Sequence, residues 1–560
     1  MKEWKVSEID EKSGELAESL GVPEVIAGLL RGRGLETPDS AKKFLYPERK
    51  DIYSPFLLPD LDEAVKRISR AVEKKEKILL FGDYDVDGIT SLSILGGYLS
   101  KRKAVFKTVI PSRIKEGYGF NQKALETAEE ENVSLIIVLD CGTNSSLLDK
   151  AVKFGIDVIV VDHHEVLKTE REYLLINPKR KDCSYPFKGL PAGALAFKLV
   201  WGLKNMFPYE YLDLAGLSIV CDVAPLIDEN RCLLKEGLDK FKNSPCLGVD
   251  CLMEASSVRK EYLEAFHLGW ILGPRINASG RMGSAYPALE LLSAEDEDKA
   301  KELALFLNKN NRQRQAESKC LFEEASAELN SSDSFQDDPA LVLSGEGWHP
   351  GILGIAASQL KEKVLKPVFL ISLKNGEGRG SGRSIDGLDI MEALNYCKDL
   401  LIGYGGHKKA CGIEIETGKI NAFRERLNNF VKEKLKGKRL RSSLFIDLEI
   451  EFKDITPELL DYLDMFSPFG EGNPEPVFLS RNLNIKGVSS LPWGGKTVWL
   501  EQRNSNNEKL VYPAQVKLSN KLCEFVDYPE PVDVVYFLRK NKSTQASLCA
   551  LKVKDVRLSQ

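Results

Sequence analysis

Residues 77–99 read KILLFGDYDVDGITSLSILGGYL, and this stretch determines the fold class. Its first six residues are apolar and β-rich, which predicts a buried strand, and residues 89–99 have the composition of a buried helix. Three acids lie between these two elements: Asp83, Asp85 and Asp87. Clustered carboxylates repel one another at neutral pH, so the arrangement is costly unless a cation binds them.

Two simpler interpretations of this acidic loop remain open. The pattern D-x-D-x-D-G opens a calcium-binding EF-hand loop, but the twelfth position of such a loop is Glu and here it is Ile94. An EF-hand loop also follows a helix, whereas residues 77–82 predict a strand. The other interpretation is a solvated acidic turn.

Two further predicted strands end in aspartate. Residues 134–140 (SLIIVLD) end in Asp140, and residues 156–162 (IDVIVVD) end where the sequence Asp-His-His begins. Near-continuous apolar strands that alternate with helices form parallel sheets, whose carboxyl ends share one ligand-binding edge. We therefore expect these groups to converge, together with Asp222, which follows the apolar stretch 214–221. Helix capping explains one such acid more easily than four of them beside two histidines.

The expected donors are carboxylate oxygens and imidazole nitrogens, without thiolate. Such donors suit Mn²⁺ or Mg²⁺ rather than structural Zn²⁺. The ligands suffice for two ions with one bridging carboxylate, and ions about 3.5–4 Å apart clamp the attacking and leaving oxygens of a phosphoryl transfer. The residues alone predict an α/β protein that hydrolyses phosphoesters or phosphoanhydrides with metal ions.

Composition narrows the class of protein. A chain of 560 residues with 43% apolar residues predicts three or four folded domains. Its 83 acidic and 78 basic residues exclude a basic nucleic-acid coat protein but not a basic groove. We expect no membrane association, because no apolar run approaches the ~18 residues of a membrane span and residues 1–20 lack the apolar core of a signal peptide. The 11 cysteines show no paired spacing, which favours a reducing cytoplasm.

The pattern changes along the chain. One or two long helices are expected in residues 285–330, followed by the polar linker 331–339 (SSDSFQDDP) and a Gly-rich second α/β unit from 340 to about 435. After the basic run 434–441 (KLKGKRLR), short alternating strands predict a small β-barrel or sandwich. Turns are expected there at Gly487, Pro492 and Gly494–Gly495.

The triplet Asp162-His163-His164, with GDYDVDG at 82–88 and DCG at 140–142, resembles the DHH phosphoesterase superfamily. PFGEGNPEPVF at 468–478 resembles the opening of an oligonucleotide-binding (OB) fold. The motifs that resemble the bacterial RecJ family of single-strand-specific exonucleases are IPSRIKEGYGF (110–120), LGPRINASGRMG (272–283), NNRQRQ (310–315), WHPGILGIAASQL (348–360), GSGRS (380–384) and GYGGHKKACG (403–412). The resemblance covers the chain from about residue 25 to about residue 555.

Pattern and resemblance together predict the order of the domains. We expect an N-terminal extension that packs on the residues after it, a parallel-sheet DHH domain, long connecting helices, a second α/β (DHH-associated) domain and an OB-like β-barrel. The expected bounds are 1–55, 56–284, 285–338, 339–436 and 437–560.

The resemblance implies a 5′→3′ exonuclease on single-stranded DNA that releases 5′-mononucleotides and requires two Mn²⁺ or Mg²⁺ ions. The metal ligands it implies are Asp83, Asp85, Asp87, Asp140, His163 and Asp222, with Asp140 as the candidate bridge and Asp83 either a ligand or a supporting group. The catalytic residues it implies are Asp85, Asp87, Asp140, His163, His164 and Asp222, with His164 facing the scissile phosphate. Asp162 is expected to orient the histidines.

The resemblance also implies a path for the substrate. GRGSGRS (378–384) is expected to form the loop that holds the 5′ end in this family, where glycines let backbone N–H groups approach an anion. Arg113, Ser381 and Arg383 are therefore expected to bind the 5′-terminal phosphate. Phosphate contacts along a narrow cleft are expected from Asn277, Arg281, Arg314 and Gln315, and a contact near the metals from His407 in a Gly-rich turn. The alternatives are that Arg113 is an ordinary surface arginine and that His407 only caps a helix. For Asn277, Arg281, Arg314 and Gln315, the alternative is a solvated helix face.

The family further implies single-stranded DNA with a 5′ end as substrate, a single-strand-binding protein and a RecQ-type helicase as partners in recombination and repair, and a monomer. In the C-terminal region, Phe478, Trp493 and Trp499 are candidates for base stacking and equally for the core.

Two other functions stay open at this point. A DHH hydrolase of short oligonucleotides, cyclic dinucleotides or pyrophosphate generally needs only the first two domains, so the regions before residue 56 and after residue 440 argue against it. A non-catalytic single-strand-binding scaffold would have lost metal ligands, and here every acid and both histidines are present.

Overall fold

The computed structural model describes residues 3–8, 10–113, 115–167, 170–331, 337–435, 443–491, 495–503, 507–517, 521–525, 530–540 and 549–559. The chain forms two compact units. The first contains residues 1–54, 223–236 and 441–560, and the second contains residues 55–222 and 237–440. Each unit is therefore assembled from segments that are distant in sequence.

The N-terminal part of the first unit is mainly helical. Helix α3 begins where the Thr37 hydroxyl accepts a hydrogen bond from the Ser40 N–H. A 3₁₀ turn at Arg49–Asp51 comes next. The elements are β1 (Glu3–Val6), α1 (Glu11–Leu20), α2 (Glu24–Arg31) and α3 (Pro38–Leu45).

A five-stranded parallel sheet opens the second unit. Its elements are α4 (Leu61–Glu73), β2 (Lys77–Gly82), α5 (Val86–Lys101), β3 (Val105–Val109), α6 (Gln122–Glu130), β4 (Leu135–Leu139), α7 (Ser146–Lys153), β5 (Asp157–Val161) and β6 (Leu174–Ile176). The strand order is β3-β2-β4-β5-β6, and every pairing is parallel. Strands β2, β4 and β5 are buried along almost their whole length, which confirms the covered parallel sheet.

Helices come after this sheet along the chain: α8 (Ala192–Lys204), α9 (Leu212–Cys221), α10 (Asp228–Asn243), α11 (Leu247–Ala255), α12 (Ala265–His267), α13 (Gly273–Met282), α14 (Tyr286–Leu292) and α15 (Glu297–Ser331). Helices α8 and α9 pack on α5, which explains why α5 is buried on most of its faces. The apolar stretch before Asp222 is the buried helix α9. Helix α15, with 35 residues, confirms one long helix in residues 285–330, whereas α14 has only 7 residues.

A second sheet, with strand order β10-β11-β9-β8-β7, completes the second unit. Only the pairing of β7 with β8 is parallel. The elements are β7 (Leu341–Glu346), α16 (Leu353–Val364), β8 (Val368–Lys374), β9 (Glu377–Arg383), α17 (Ile390–Tyr396), β10 (Leu401–His407), β11 (Ala410–Glu416) and α18 (Ile420–Leu435). Residues 332–336 of the predicted linker and 436–441 of the basic run lie outside the described residues.

The expectation that GSGRS forms a loop and GYGGH forms a turn is wrong, because both motifs lie in strands, β9 and β10. The glycines of β9 are needed for close packing. A Cβ on Gly378, Gly380 or Gly382 would overlap side chains of neighbouring strands. Every second residue of β9 therefore lacks a side chain toward the core, and Arg379, Ser381 and Arg383 alternate with these glycines.

The C-terminal part of the first unit contains β12 (Ser443–Ile446), β13 (Leu448–Glu449), α19 (Pro457–Met465), β14 (Phe478–Ser490), β15 (Lys496–Arg503), β16 (Lys509–Val516), β17 (Val532–Lys540) and β18 (Cys549–Leu558). Strand β14 pairs with both β15 and β17, which closes a five-stranded barrel and confirms the barrel prediction. The turn expected at Gly487 is wrong, since Gly487 lies within β14 at a register shift. Pro492 and Gly494 lie outside the described residues.

The N-terminal segment was expected to pack on the residues after it, but it forms a unit with the C-terminal region, which is distant in sequence. Strand β1 pairs in parallel with β12, and Phe44 contacts Phe466 in one apolar cluster. The buried guanidinium of Arg231 donates to the carbonyl oxygens of Phe44 (3.0 Å), Met465 (2.6 Å) and Phe466 (2.9 Å). Residue 231 thus connects both ends of the chain within the first unit.

Among the helices of the described residues, none has both the length and the apolarity that crossing a bilayer demands.

Candidate metal centre

Acids and histidines from four chain segments meet at the carboxyl edge of the first sheet. They come from the loop after β2, from the residues that follow β4 and β5, and from the end of α9. Three groups have ligand atoms within 4.8 Å of one another: Asp83, Asp85 and Asp140; Asp87, His163 and Asp222; and Asp140, Asp162, His163 and His164. The structure thus brings together all six expected metal ligands and His164.

The loop after β2 places two of these acids in different environments. Asp85 is the N-cap of α5, where one of its oxygens, Oδ1, accepts hydrogen bonds from the N–H groups of Asp87 (3.0 Å) and Gly88 (3.3 Å). Asp83 is buried, and its Oδ1 has no hydrogen-bond partner among the described residues. Capping therefore explains one oxygen of Asp85 and leaves the buried oxygen of Asp83 without an explanation.

Asp87 is held in place by three donors. The N–H groups of Ala192 and Gly193 donate to it at 2.8 Å, and the Ser218 hydroxyl donates at 2.5 Å. None of these three residues lies in a motif that indicated a function from the sequence. A Cβ on residue 193 would overlap Ser218, which explains why this position is glycine. The start of α8 and the middle of α9 fix the orientation of this carboxylate.

His163 lies among three carboxylates. Its Nε2 is 3.3 Å from Oδ1 of Asp140 and 3.6 Å from Oδ2 of Asp87, and its Nδ1 is 3.7 Å from Oδ2 of Asp222. Nε2 is buried and has no hydrogen-bond partner among the described residues. Asp140 adopts the left-handed conformation with φ 63°, which directs the chain out of β4 at this point. A buried nitrogen that faces oxygens without bonding to them is the arrangement of ligands around a cation.

Asp162 bonds to protein atoms instead. It accepts hydrogen bonds from the Thr143 hydroxyl (2.6 Å), from the backbone N–H groups of His163 (2.7 Å) and His164 (3.1 Å), and pairs with Nδ1 of His164 (2.7 Å). Burial alone would raise the pKa of Asp162, but the bonds to His164 and Thr143 lower it. The Tyr118 hydroxyl lies 3.1 Å from Nε2 of His164. Neither Thr143 nor Tyr118 was expected in the site from the sequence, although Tyr118 lies in the motif IPSRIKEGYGF (110–120).

The electrostatics of the cluster fit a divalent cation. Burial and neighbouring carboxylates raise the pKa of Asp83 and Asp140 well above the usual range, and raise that of Asp222 to about 9. A divalent cation would relieve this repulsion. Cys141 and Cys221 lie nearby, but burial raises the pKa of both thiols and keeps them protonated. Oxygen and imidazole donors of this kind fit Mn²⁺ or Mg²⁺.

The expected phosphate-binding residues lie beside the second sheet. Arg383 donates to the hydroxyls of Ser358 (3.1 Å) and Ser381 (3.0 Å). Arg113, from the loop after β3, lines a cavity of about 440 Å³ with residues of β9, β10 and β11. Its guanidinium lies 5.0 Å from the ring centroid of Tyr84, between Asp83 and Asp85 in sequence. Arg113 therefore connects the cavity to the acidic loop.

The other expected substrate residues differ in their surroundings. Asn277 accepts a hydrogen bond from the Val86 N–H at the start of α5 (3.2 Å). Arg281 donates to the Gly351 carbonyl (3.3 Å), and Arg314 donates to the Asn311 amide oxygen (2.9 Å). Two expected residues are exposed and lie outside the groups of metal donors: Gln315 on α15 and His407 at the end of β10.

The barrel aromatics also differ from one another. Phe478 is buried in the core of the first unit, Trp499 is half-buried in β15, and Trp493 lies outside the described residues.

Three segments match described families. Residues 77–219 match the DHH family, N-terminal domain, residues 337–433 match the DHHA1 domain, and residues 446–555 match the RecJ OB domain. Each segment corresponds to one of the regions described above: the first sheet, the second sheet and the barrel.

Whole proteins with similar sequences carry the description "Single-stranded-DNA-specific exonuclease RecJ". The protein of Bacillus subtilis (strain 168) is 35% identical over 512 residues, which is 90% of this chain and 65% of that protein. The protein of Thermus thermophilus is 34% identical over 472 residues, or 80% of this chain and 68% of that protein. The chain thus spans less than two thirds of the length of the Bacillus protein.

Solved structures agree with the sequence relatives. The crystal structure of RecJ in complex with Mn²⁺ from Thermus thermophilus matches with a TM-score of 0.82 and 28% identity, over 100% of this chain and 80% of that one. The corresponding structure with Mg²⁺ matches with a TM-score of 0.78 and 26% identity, over 100% of this chain and 79% of that one.

Proposed function

Because the chain belongs to the RecJ family of single-stranded-DNA-specific exonucleases, we propose that it degrades single-stranded DNA from the 5′ end and releases 5′-mononucleotides in recombination and repair. The observation that supports this most strongly is the convergence of buried carboxylates around the unbonded Nε2 of His163. Such a centre is suited to hydrolysis of a phosphodiester.

The residues assigned to hold two Mn²⁺ or Mg²⁺ ions are Asp83, Asp85, Asp87, Asp140, His163 and Asp222. Bound there, the ions supply hydroxide at neutral pH and neutralise the charge that develops on the phosphate oxygens. The protein's part is to fix these ligands. Asp87 keeps its orientation through Ser218 and the start of α8, and Asp140 through the left-handed turn after β4.

His164 is assigned to the scissile phosphate. Burial lowers the pKa of its imidazole. The hydrogen bond to Asp162 and the negative charge of Asp162 together raise this pKa by more, so it is raised overall. A protonated ring that donates its Nδ1–H to Asp162 has only its Nε2–H left for a phosphate oxygen, which would take the place of the Tyr118 hydroxyl 3.1 Å from Nε2. The pair of Asp162 and His164 thus orients a cationic donor toward the developing charge.

Arg113, Ser381 and Arg383 are assigned to the 5′-terminal phosphate. The Ser381 hydroxyl and the guanidiniums of Arg113 and Arg383 lie beside the Gly-rich strands of the second sheet, where the backbone is accessible. A terminal phosphate carries a second negative charge that an internal phosphodiester lacks, so this capture explains a 5′ polarity. The rest of the proposed substrate path consists of Asn277, Arg281, Arg314, Gln315 and His407.

The experiment uses two 30-mers with Mn²⁺, one labelled at the 5′ end and one at the 3′ end. The proposal expects immediate release of a labelled mononucleotide from the first and a descending ladder from the second. Intact 30-mers beside rapid cleavage of a dinucleotide or cyclic dinucleotide would contradict it and place the protein with hydrolases of small substrates.

The family also supports a wider assignment. We infer that the protein acts in the bacterial cytoplasm as a monomer, together with a single-strand-binding protein and a RecQ-type helicase. Gel filtration tests whether the protein is a monomer. Cleavage of a single-stranded tail coated with the binding protein, with and without the helicase, tests the partners, and identical rates in all cases would contradict them.

A further inference from the structure

Two aromatic rings stand exposed at the start of the helix that contains the LGPRINASGRMG motif. Phe266 and Trp270 are 57% and 75% exposed, and Tyr262 nearby is 56% exposed. The angle between the ring planes of Phe266 and Trp270 is only 23°, and the ring centroids are 6.3 Å apart. Two exposed aromatic rings side by side present a contiguous apolar surface to water, which is unusual unless a ligand covers it.

The local backbone explains this presentation. Helix α12, a single wide turn at Leu268–Leu272 and helix α13 form one continuous helical run. Pro274 has no N–H to donate to the Trp270 carbonyl, and the chain accommodates this with a π-helical turn. Leu268 and Leu272 in the same turn are fully buried, so the core already has its apolar residues and the two rings point away from it.

An arginine lies next to this turn. Arg275 donates to the Ile271 carbonyl at 2.6 Å and to the Asn308 amide oxygen at 3.0 Å. Burial lowers the pKa of Arg275, and the charges of Arg312 and Arg314 lower it further. Asn308, Arg312 and Arg314 all belong to α15, so Arg275 lies on the side of α13 that packs on this helix.

The same row of cations continues to the metal centre. Burial lowers the pKa of Arg281, the charges of Arg113 and Arg314 lower it further, and the Asp85 carboxylate opposes them. The hydrogen bonds of Arg275, Arg281 and Arg314 go to neutral oxygens, and in the described part of the chain none of these three arginines pairs with a carboxylate. Uncompensated guanidiniums in a row fit a chain of phosphates.

We propose that Phe266 and Trp270 form a stacking platform for bases of single-stranded DNA on the 3′ side of the scissile bond. The proposal rests on the proposed function, since it takes the 5′ phosphate to bind at Arg113 and Arg383. From there Arg281 and Arg275 follow one helical run, with Arg314 on the neighbouring α15, and the two rings lie at the start of that run. Stacking accepts every base, so the platform binds DNA without reading its sequence.

The platform predicts an effect that depends on substrate length. Trp270→Ala should raise KM about fivefold or more for a 5′-phosphorylated dT20 and leave kcat unchanged, because stacking contributes binding away from the reacting bond. The same variant should cleave dT4 with wild-type KM and kcat, since a tetramer ends before the platform. Trp270→Phe should restore the KM for dT20, because it keeps an aromatic ring.

A second measurement observes the ring directly. With EDTA present to prevent cleavage, dT20 should quench the tryptophan fluorescence of the wild-type protein, and Trp270→Phe should remove part of that quenching. The control is Phe154→Ala, which removes another exposed ring, 60% accessible, at the end of α7. It should leave both the KM and the quenching unchanged.

The outcomes separate the two proposals. A wild-type protein that fails to cleave dT20 contradicts the exonuclease assignment itself. Active Trp270→Ala with wild-type KM on dT20 overturns the platform, as does an equal loss on dT4 and dT20, which would indicate a structural role. If Trp270→Ala bound DNA as tightly as the wild-type protein, the exposed rings would instead be a contact surface for a protein partner.

Discussion

Nε2 of His163 lies 3.3 Å from Oδ1 of Asp140, buried and without a hydrogen-bond partner in the described part of the chain. Asp140 also belongs to the group formed with Asp83 and Asp85. The two residues therefore connect the groups of donors, and this position is what supports the proposal that Asp140 bridges two ions.

Replacing the shared carboxylate tests this position. Asp140→Ala should lower kcat with Mn²⁺ by about 10³-fold or more, as expected when a residue that acts within a unit is removed. DNA binding should persist, because the arginines remain. Gel assays of cleavage and anisotropy of a labelled 30-mer check the two effects. Asp298→Ala, an exposed acid on α15, is the control, and substantial residual cleavage by the Asp140 variant would refute the bridge.

Metal binding should stabilise the second unit. Mn²⁺ relieves the repulsion that raises the pKa of Asp83 and Asp140. A ligand at 100 times its dissociation constant stabilises the folded state by about 2.7 kcal/mol, which a thermal shift detects. EDTA should reverse the shift. If Asp140→Ala showed the full wild-type shift, the ions would bind elsewhere.

Recognition of the 5′-terminal phosphate should depend on Arg383. Arg383→Ala should weaken 5′-phosphorylated substrates by about tenfold or more in kcat/KM, because a hydrogen bond to a charged group contributes about 1.5–3 kcal/mol. Substrates with a 5′ hydroxyl should be affected much less. Arg426→Ala, which removes an arginine on α18 paired with Asp399, is the control. Equal losses on the two kinds of substrate would remove Arg383 from recognition of the end.

Arg231 should be critical for the first unit. Arg231→Met leaves three carbonyl oxygens without their donor, and we expect the free energy of unfolding to fall by about 3–5 kcal/mol. The midpoint of urea unfolding measures this loss. Lys242→Met on the exposed side of α10 is the matched control. Wild-type stability of the Arg231 variant would show that these bonds contribute little.

The first sheet could be predicted because its signal is local. Strands β2, β4 and β5 are continuous apolar runs, and parallel strands necessarily bring their carboxyl ends to one edge. The positions of Asp140 and of the residues after β5 result from that geometry. Asp222 was expected at the same edge because it follows an apolar stretch, but that stretch is helix α9 and not a strand, so the geometry of a parallel sheet does not by itself place it there.

Strands β9 and β10 could not be predicted in the same way. Glycine has a low strand propensity, so Gly378, Gly380 and Gly382 indicated a loop. Their place in a strand depends on Ile371, Ile413 and Phe369 from neighbouring strands, which fill the space where each Cβ would lie. Contacts between distant segments decide this structure, as they decide the position of Arg231.

The pairing of β1 with β12 has a consequence for the order of protein synthesis. Residues 1–54 leave the ribosome long before residues 441–560 exist. At ~5–20 residues per second, the roughly 390 residues between them delay the pairing by about 20–80 s. Throughout that interval, Leu29 and Phe44 lack the barrel residues that later cover them. The nascent chain therefore has to keep its earliest apolar helices from aggregating until its last strands emerge, and the unit that starts first is the last to fold.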